Sequence, residues 1–442
     1  MISNSAMSAR YDVASFGCDP EIAARYVDEM SDLTEHEVRL EFESWFVEHW
    51  DPQRPLIEWR ELLAGSGWAV PSWPIASHGR DLASWADKVI QDVLREQGAV
   101  GPPLGAGMNL AAPTLIAHAS AELKGRMLLP TITGAVTWTQ LFSEPGAGSD
   151  LAGLRTTAVR DGDDWIVNGQ KVWNTSAHHA DFAILIARTD WDIPKHAGMT
   201  YFVLPMQQPG VETRPILQMN RHSSFNEVFL TDARIPAANL VGAQGDGWRV
   251  ARTTLMHERT YSTLRRPSFR PDAGRTLAEA AAESAEHFAT YAWYPQRAGR
   301  ADLVIRRAQS AGRTADPVVR QAIADLVSFQ RASEWTAARA RAARALGRTP
   351  GPEGSLGKLA ASEVARRCGR LHSMISGASG MLTELDGDDD AAVIAEVLMS
   401  TPAQSIAGGT DEIQRNIIGE NVLGLPRERS VGVDVPFRDV PR

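Results

Sequence analysis

Residues 141–150 have the sequence LFSEPGAGSD, which is the most informative stretch of this 442-residue chain. Its two glycines, Gly146 and Gly148, allow a backbone to approach a ligand closely, and Ser149 offers a hydroxyl donor. An ordinary glycine-rich turn between two strands has the same composition, so these residues alone do not separate a binding loop from a turn. A second glycine-rich stretch, AGGTDEIQR at residues 407–415, lies far downstream, and the elements around both stretches supply the context.

The periodicity of apolar residues changes along the chain from helical to extended and back. Upstream of the first stretch it is helical, and residues 110–127 are predicted to form one helix. Downstream, strand-like residues flank the turn sequence Asp161-Gly162-Asp163-Asp164, which predicts a β-hairpin. From Gly247 onward the helical pattern returns. We therefore expect an α+β fold with three domains: helical at residues 1–135, β at 136–245 and helical at 246–442.

The composition is that of an ordinary globular protein, with 43% hydrophobic and 22% charged residues. The net charge of −9 argues against a nucleic-acid partner, because phosphate binding needs a basic face. The two cysteines, Cys18 and Cys368, form no metal-ligand pattern and are expected to be free thiols in a reducing cytoplasm. No apolar run approaches membrane-spanning length, and the N-terminal residues do not resemble a secretory signal. These features predict a cytoplasmic enzyme or subunit with no metal site and no membrane span.

With both glycine-rich stretches, and with helices on either side of a β-domain, the chain resembles the acyl-CoA dehydrogenase superfamily over nearly its whole length. This resemblance implies an N-terminal helical domain, a middle β-barrel-like domain and a C-terminal helical bundle. It also implies FAD as the cofactor. Oxidation of a saturated carbon chain needs a hydride acceptor that no side chain provides. The chain lacks the strand–GxGxxG–helix unit of a Rossmann dinucleotide site, which argues against that alternative.

The resemblance places one group of residues at the isoalloxazine ring of FAD. Gln140, Leu141 and Ser143 would line the ring, partly through backbone groups that reach its pyrimidine edge. Ser149 would bond toward the flavin or toward the acyl-CoA substrate.

An aromatic-x-Thr triplet belongs to the same end of the cofactor. The family places this triplet after an Asn-Gly-x-Lys hairpin, and Trp173-Asn174-Thr175 follows Asn168-Gly169-Gln170-Lys171 in this chain. By resemblance, Trp173 would pack against the ring and Thr175 would hydrogen-bond near N5. Without the flanking match, Trp173 would be interpreted as a half-buried aromatic residue of a strand.

A third group belongs to the adenine end of FAD and to the neighbouring subunit. Arg313 stands where the family's Arg reaches the pyrophosphate of a neighbour's cofactor, although a solvated charge is the alternative in this Arg-rich stretch. Gly377 begins a Gly-Ala-Ser-Gly sequence that resembles the helix break near the neighbour's flavin, with Met374 in place of the family's frequent Gln. Thr410 and Glu412 would approach the cofactor after the Gly-Gly turn. A homodimer or homotetramer is therefore expected, with a hetero-oligomer as the alternative.

The catalytic base is not where many members of the family have it. Gly408 occupies the position of the glutamate that precedes the Gly-Thr pair. One branch, resembling isovaleryl-CoA dehydrogenase and the long-chain enzymes, instead carries its glutamate before an Arg on the helix after the β-domain. Glu258 and Arg259 match that pattern, so Glu258 is predicted to be the base and Arg259 to order the substrate. His257 is interpreted as structural, and the alternative for Glu258 is a solvated charge on an amphipathic helix.

The resemblance implies an FAD-dependent acyl-CoA dehydrogenase that produces a trans-2-enoyl-CoA and passes electrons to an electron-transferring flavoprotein. Similarity to actinobacterial members suggests lipid, branched-chain or sterol side-chain catabolism, or a secondary-metabolite pathway. The alternatives are a non-catalytic subunit of a hetero-oligomer and a flavin oxidase or monooxygenase of the same fold. The segment between Arg259 and Arg313 is longer than the corresponding segment in the family pattern. The extra residues would either change the shape of the acyl pocket or lie on the surface.

Overall fold

The computed structural model describes residues 33–220, 222–261, 269–289, 299–345, 353–382, 391–427, 432 and 434–440. Helices precede and follow one β-sheet along the chain, which confirms the expected α+β class. The described residues form two compact units. Residues 33–108, 120–137 and 269–284 belong to the first unit, and the other described residues belong to the second. The division of the sequence into three domains remains a prediction.

The helices, in chain order, are α1 (Glu35–His49), α2 (Leu56–Gly65), α3 (Trp85–Glu96), α4 (Ala112–His118), α5 (Ala121–Thr133), α6 (Gly247–Tyr261), α7 (Arg275–Ala289), α8 (Ala301–Ser310), α9 (Pro317–Ala345), α10 (Glu353–Ser376), α11 (Ala391–Gln404) and α12 (Asp411–Asn421). The strands are β1 (Trp138–Leu141), β2 (Thr157–Asp161), β3 (Asp164–Thr175), β4 (Phe182–Arg188), β5 (Met199–Pro205), β6 (Val211–Ile216), β7 (Phe225–Pro236) and β8 (Leu240–Val241). In the part of the chain that the structure describes, no helix has the length and apolar character needed to cross a membrane.

The prediction of one helix over residues 110–127 is wrong. The chain forms α4 and α5 instead, because Ala119 has an extended backbone and ends α4. Ser120 then caps α5, since its side-chain oxygen accepts a hydrogen bond from the backbone N–H of Leu123. The apolar periodicity continues through this break, so it did not reveal the boundary.

The first unit is helical, and its core consists largely of aromatic and aliphatic side chains. α1 begins with a capping box in which the side chains of Thr34 and Glu37 each accept a hydrogen bond from the other residue's backbone N–H. The inward face of α1 contributes Val38, Phe42 and Phe46, which recur at the four-residue spacing of a helix. The same core also buries side chains from later parts of the unit: Trp59, Leu63, Trp68, Ile90 and Val93.

Part of the segment that is longer than the family pattern also belongs to the first unit. Leu277 and Ala280 of α7 are buried in its core. The Glu283 carboxylate accepts two hydrogen bonds from the buried guanidinium of Arg60, at 2.7 and 3.0 Å. Residues 269–284 therefore contribute to the core of this unit rather than decorating its surface. Residues 262–268 and 290–298 of the same segment lie outside the described residues.

The second unit contains the sheet. Its strands lie in the order β6-β7-β3-β2-β4-β5-β8, and β1 pairs in parallel with β4. β2 and β3 form the predicted hairpin, in which Asp161 lies opposite Asp164 and Gly162 has a φ of +58°. A two-residue hairpin turn requires such a positive φ, which glycine adopts without strain. Alternate residues of the strands, including Leu141 and Leu185, bury an apolar core.

The C-terminal helices of the second unit pack around another core, formed by α8, α9 and α10, which buries Val304, Leu326, Cys368, Leu371 and Ile375. Cys368 is a free thiol whose burial raises its pKa to about 12, whereas Cys18 lies outside the described residues. α12 is anchored to α10 by Asp411, whose carboxylate accepts hydrogen bonds from Lys358 at 2.9 Å and Arg366 at 2.7 Å.

Candidate functional site

The stretch 141–150 folds into a tight turn at the end of β1. Glu144 and Ala147 exchange two backbone hydrogen bonds of 3.0 Å each, which closes the turn around Gly146. A Cβ atom added at Gly146 or Gly148 would meet no atom of the described residues within 4 Å, and neither glycine has a positive φ. Crowding within the described residues and backbone conformation therefore give no reason for glycine at these two positions. A ligand lying directly on the backbone does give a reason.

A buried ion pair holds this turn in place. Lys171 is fully buried, and its ammonium donates hydrogen bonds to Glu144 at 2.9 Å and to the Phe142 carbonyl at 3.0 Å. The Glu144 carboxylate also accepts the backbone N–H groups of Arg155 at 2.6 Å and Thr156 at 2.8 Å. Sequence reasoning missed this pair, although both charged residues lie inside the quoted motifs. A charge within a strand of otherwise half-buried residues was the available signal.

The two charges of this pair have shifted ionisation. Burial alone would raise the pKa of Glu144, but the positive charge of Lys171 and the hydrogen bonds from Thr156 and Arg155 lower it below its ordinary value. Burial lowers the pKa of Lys171, and the negative charge of Glu144 opposes that shift. The pair therefore keeps an ionised carboxylate inside the protein at the base of the glycine turn.

A bulge in β3 presents Trp173 to solvent. The register of β3 against β7 shifts between Lys171 and Asn174. Trp173 has a φ of +64°, a backbone angle that residues other than glycine rarely adopt. Trp173 is 58% exposed and contacts Phe225 edge-on, with ring centroids 6.0 Å apart. The interpretation of Trp173 as a half-buried strand aromatic is wrong, because the bulge turns its ring outward.

Hydrogen bonds join the bulge to β1 and to the glycine turn. The Asn174 side chain donates to the Gln140 carbonyl at 2.8 Å, and the backbone N–H of Val172 donates to the Ser143 carbonyl at 2.9 Å. Thr139 donates through its hydroxyl to the Thr175 carbonyl at 2.8 Å. The structure thus brings together five residues that the resemblance assigned to the flavin ring: Gln140, Leu141, Ser143, Trp173 and Thr175. The Leu141 side chain is buried in the sheet core, so only its backbone is available to a ligand.

α6 carries Glu258 along an inward-facing stripe. The buried residues on this face of α6 are Gly247, Val250, Ala251 and Thr254. Glu258 follows one turn later on the same face and is half-buried. The side-chain amide of Gln140 donates to the Glu258 carboxylate, with 3.4 Å between Nε2 and Oε2. A carboxylate on the predicted helix therefore contacts the strand that leads into the glycine turn.

The close approach of α6 to β5 accounts for part of this placement. A Cβ atom at Gly247 would lie 2.6 Å from backbone atoms of Met199 and Thr200, so a larger residue does not fit there without a shift. The backbone of Arg259 continues α6, but its side chain lies outside the described residues. His257 is half-buried, and burial lowers its pKa.

The downstream stretch forms a left-handed turn followed by α12. Gly408 and Gly409 have φ values of +65° and +82°, a conformation that favours glycine. Thr410 caps α12 by accepting the backbone N–H of Ile413 at 3.2 Å. Glu412 is exposed and pairs with Arg415 at 3.3 Å. Gly408 thus has a conformational reason to be glycine, independent of the missing glutamate.

The remaining predicted residues lie outside the strands. Arg313 pairs with Asp316 at 2.7 Å before α9, and Gly377, with a φ of +56°, begins the turn after α10. Ser149 is exposed at the end of the glycine turn. Within the described residues, no hydrogen bond or ion pair joins Arg313, Gly377, Thr410 or Glu412 to the strands that carry Trp173 and Gln140.

The residues around the glycine turn fit a flavin. They offer an exposed indole, hydroxyls at Ser143, Ser149 and Thr175, and two glycines that leave the backbone open. The buried Oδ1 of Asn174 has no hydrogen-bond partner among the described residues. Such a donor set suits a planar ring with a polar edge better than a metal ion. No cluster of His, Cys, Asp or Glu able to hold a metal occurs in the searched, described part of the chain.

Two family models match the sequence. The model described as "Acyl-CoA dehydrogenase, middle domain" matches residues 139–233, which include the glycine turn and the bulge. The model described as "Acyl-CoA dehydrogenase, C-terminal domain" matches residues 301–423.

Similar proteins of curated name extend the match over most of the chain. The sequence is 37% identical over 377 residues to acyl-CoA dehydrogenase IpdE1 of Mycobacterium tuberculosis, covering 84% of this chain and 88% of that protein. It is 34% identical over 384 residues to acyl-CoA dehydrogenase IpdE1 of Mycolicibacterium smegmatis, with the same coverage of 84% and 88%.

Solved structures share the fold. The ChsE4–ChsE5 complex from Mycobacterium tuberculosis superposes with a TM-score of 0.61 at 27% identity, covering 89% of this chain and 98% of that chain. The structure described as the Tcur3481–Tcur3483 steroid ACAD gives a TM-score of 0.64 at 24% identity, also covering 89% and 98%. At that identity the second likeness concerns the fold alone.

Proposed function

Because this chain belongs to the acyl-CoA dehydrogenase family of oxidoreductases, we propose that it converts an acyl-CoA thioester to a trans-2-enoyl-CoA. Family membership confirms the resemblance drawn from residues 141–150 and 407–415. Members of the family generally bind FAD, and we propose FAD for this chain. The support within the chain is the exposed Trp173 beside the two open glycines, Gly146 and Gly148.

The proposed reaction removes a proton from the carbon next to the thioester and a hydride from the carbon after it. FAD, when bound, supplies the hydride acceptor. The α-proton is only weakly acidic, so a carboxylate must lie against it in a site from which water is largely excluded. We propose that Glu258 takes this proton, that Ser149 and Arg259 help to bind the thioester, and that Trp173 and Thr175 position the cofactor.

One observation carries the proposal: the Glu258 carboxylate lies 3.4 Å from the side-chain amide of Gln140, at the strand that leads into the glycine turn. A solvated surface glutamate would have no reason to occupy the inward stripe of α6 behind buried Thr254 and Ala251. Gly408 carries no side chain at the downstream position where many family members have their catalytic glutamate. A base on α6 and a side-chain-free turn downstream are the paired features that favour a catalytic subunit over a silent one.

We further propose that the substrate is a lipid-derived acyl-CoA, with a sterol side chain or a branched chain among the candidates, and that an electron-transferring flavoprotein accepts the electrons. One of the similar solved structures, at 27% identity, is described as the ChsE4–ChsE5 complex. This neighbour supports a hetero-oligomer as one candidate assembly. In that assembly or in a homo-oligomer, Arg313, Gly377, Thr410 and Glu412 would meet the cofactor of an adjoining subunit.

The test compares Glu258→Gln with Glu227→Gln, each purified with its bound flavin. Glu227 is a matched control, because its carboxylate also accepts a hydrogen bond from a glutamine, Gln170, at 3.4 Å in the same sheet. Stopped-flow absorbance then records flavin bleaching by a panel of acyl-CoAs. Glu258→Gln should keep its flavin and bleach roughly 100- to 10,000-fold more slowly than the parent. Glu227→Gln should bleach at close to the parental rate.

Three outcomes would count against the proposal. If Glu258→Gln bleaches as fast as the parent, Glu258 is not the base. If none of the acyl-CoAs bleaches the flavin of the parent, whether the parent is alone or with a co-expressed partner subunit, the chain is better described as the non-catalytic subunit. A colourless protein that cannot be reconstituted with FAD would remove the cofactor assignment as well.

A further inference from the structure

The contact between Gln140 and Glu258 joins two parts of the chain that are 118 residues apart. We propose that Gln140 is a positioning residue whose side-chain amide holds the Glu258 carboxylate ionised and oriented beside the glycine turn. This inference rests on the proposed role of Glu258 as the base. It gives Gln140 a function toward another side chain, in addition to the cofactor contact expected from its place in the sequence.

The backbone of Gln140 is firmly held, which makes its side chain a defined donor. β1 pairs in parallel with β4, and Gln140 lies opposite Ile184. Its carbonyl accepts the Asn174 side chain at 2.8 Å. Thr139 and Leu141 are buried on either side, so the alternation of a strand places the Gln140 side chain on the opposite face. The amide that reaches Glu258 is therefore fixed relative to the turn and the bulge.

Three buried hydroxyl groups hold α6 in place, one on the helix itself and two on the elements packed against it. The Thr254 hydroxyl lies 2.9 Å from the Tyr201 hydroxyl of β5 and 2.9 Å from the Thr114 hydroxyl of α4. Thr114 also donates to the Leu110 carbonyl at 2.7 Å. Thr254 precedes Glu258 by four residues and so lies on the same face of the helix. These bonds set the rotation of α6 and thereby direct Glu258 toward Gln140.

Other charged or titratable groups lie on the elements that pack against α6. On α4, His118 bonds Thr253 and Arg249 of α6, and its pKa is lowered by burial and by Arg249. On β5, burial raises the pKa of Tyr201, which keeps its hydroxyl neutral. On β4, Arg188 donates to the carbonyls of loop residues 152, 154 and 195.

On α6 itself, His257 precedes Glu258, and burial lowers the pKa of this imidazole, so it is neutral near pH 7. The Arg259 side chain lies outside the described residues. The experiment therefore compares Gln140 variants with the parent, and it measures only the change in Glu258 ionisation that depends on Gln140.

An amide suits this position better than an acid or an apolar residue. A hydrogen bond donated to the ionised form of a carboxylate favours that form and lowers its pKa. Loss of the 3.4 Å contact is therefore expected to raise the pKa of Glu258.

The test measures the ionisation of Glu258 directly, by infrared difference titration of the flavin-loaded protein against Glu258→Gln. Gln140→Met keeps the length of the side chain and removes the donor, so the Glu258 midpoint should rise above that of the parent. Gln140→Asn keeps the amide but is one methylene shorter, and it should give a similar shift if Gln140→Met does not fold. Gln140→Glu places a second carboxylate beside Glu258 and should raise the midpoint further.

Gln170→Met is the matched control, because Gln170 donates to Glu227 at the same distance of 3.4 Å without contacting Glu258. It should leave the Glu258 midpoint unchanged. The pH profile of flavin reduction should follow the titration, with the acidic limb of Gln140→Met displaced to higher pH by the same amount.

An unchanged Glu258 midpoint in Gln140→Met and Gln140→Asn would refute the inference and leave the proposed function intact. A shifted midpoint together with parental flavin reduction by Glu258→Gln would refute the proposed function, and the catalytic meaning of the contact with it. A shift of equal size in Gln170→Met would show that the effect is not specific to Gln140, which also refutes the inference.

Discussion

Replacement of Lys171 by Met is expected to loosen the base of the glycine turn. Lys171 is fully buried, and its ammonium bonds both the Glu144 carboxylate and the Phe142 carbonyl. Met fills nearly the same space but provides neither charge nor donors. The buried Glu144 carboxylate is then left with the backbone N–H groups of Arg155 and Thr156.

The magnitude follows from what remains around Glu144. Breaking one side of a buried ion pair costs about 3–5 kcal/mol. Because two backbone donors stay within 2.6 and 2.8 Å of the carboxylate, we expect the lower end of that range, about 3 kcal/mol. Since about 1.4 kcal/mol corresponds to a factor of ten, local opening should become on the order of 100-fold more frequent.

The cost should also depend on pH. In the parent, the pKa of Glu144 is lowered, so its contribution to stability is present above its unfolded pKa and is lost as the pH falls through its folded pKa. Without Lys171, burial raises the pKa of Glu144, and protonation removes the uncompensated charge. The difference between parent and variant should therefore be larger at neutral pH than in acid.

Hydrogen exchange followed by mass spectrometry measures this locally, on peptides that contain the amides of Arg155 and Thr156. Arg214→Met is the control, because Arg214 pairs with Glu212 in the same sheet and both side chains are exposed, at 58% and 60%. An exposed ion pair is worth about 0–1 kcal/mol, so the control should exchange almost like the parent. Equal exchange in Lys171→Met and Arg214→Met would refute the reasoning.

Two further predictions concern the glycine positions and the anchor of α12. Gly247→Ala should lower the midpoint of thermal unfolding, because its Cβ would lie 2.6 Å from the backbone of β5. Gly148→Ala should leave the thermal midpoint of the flavin-free protein unchanged, because its Cβ meets no described atom within 4 Å. The same variant should weaken FAD binding in a titration. Burial opposes ionisation of Asp411, but hydrogen bonds from Arg366 and Lys358 lower its pKa to about 2, below the ordinary 3.8. Its stabilising contribution is thus present above about pH 4 and is lost as the pH falls toward 2. Asp411→Asn should melt below the parent at neutral pH, and the gap should close in acid; a gap that stays constant would contradict the assignment.

Local features of the chain were predictable from residues close in sequence. The hairpin at residues 161–164 follows from one turn sequence, and α6 follows from the helical spacing that begins at Gly247. The candidate base, Glu258, came from resemblance to a family branch, which combined two distant motifs that periodicity alone would not connect. The break between α4 and α5 was not predicted, because the helical spacing of apolar residues continues through Ser120.

Contacts between distant elements depended on the tertiary structure. The burial of Lys171 against Glu144, the outward turn of Trp173 at a register shift and the meeting of Gln140 with Glu258 all depend on how strands pair and how α6 lies on β5. Residues 269–284 likewise contribute to the core of the first helical unit, although they follow the sheet in sequence. Sequence spacing determines which side chains share a face of one helix or strand. Which faces then meet is decided by packing among all the elements, because the free energy of burial depends on the whole core rather than on any one segment.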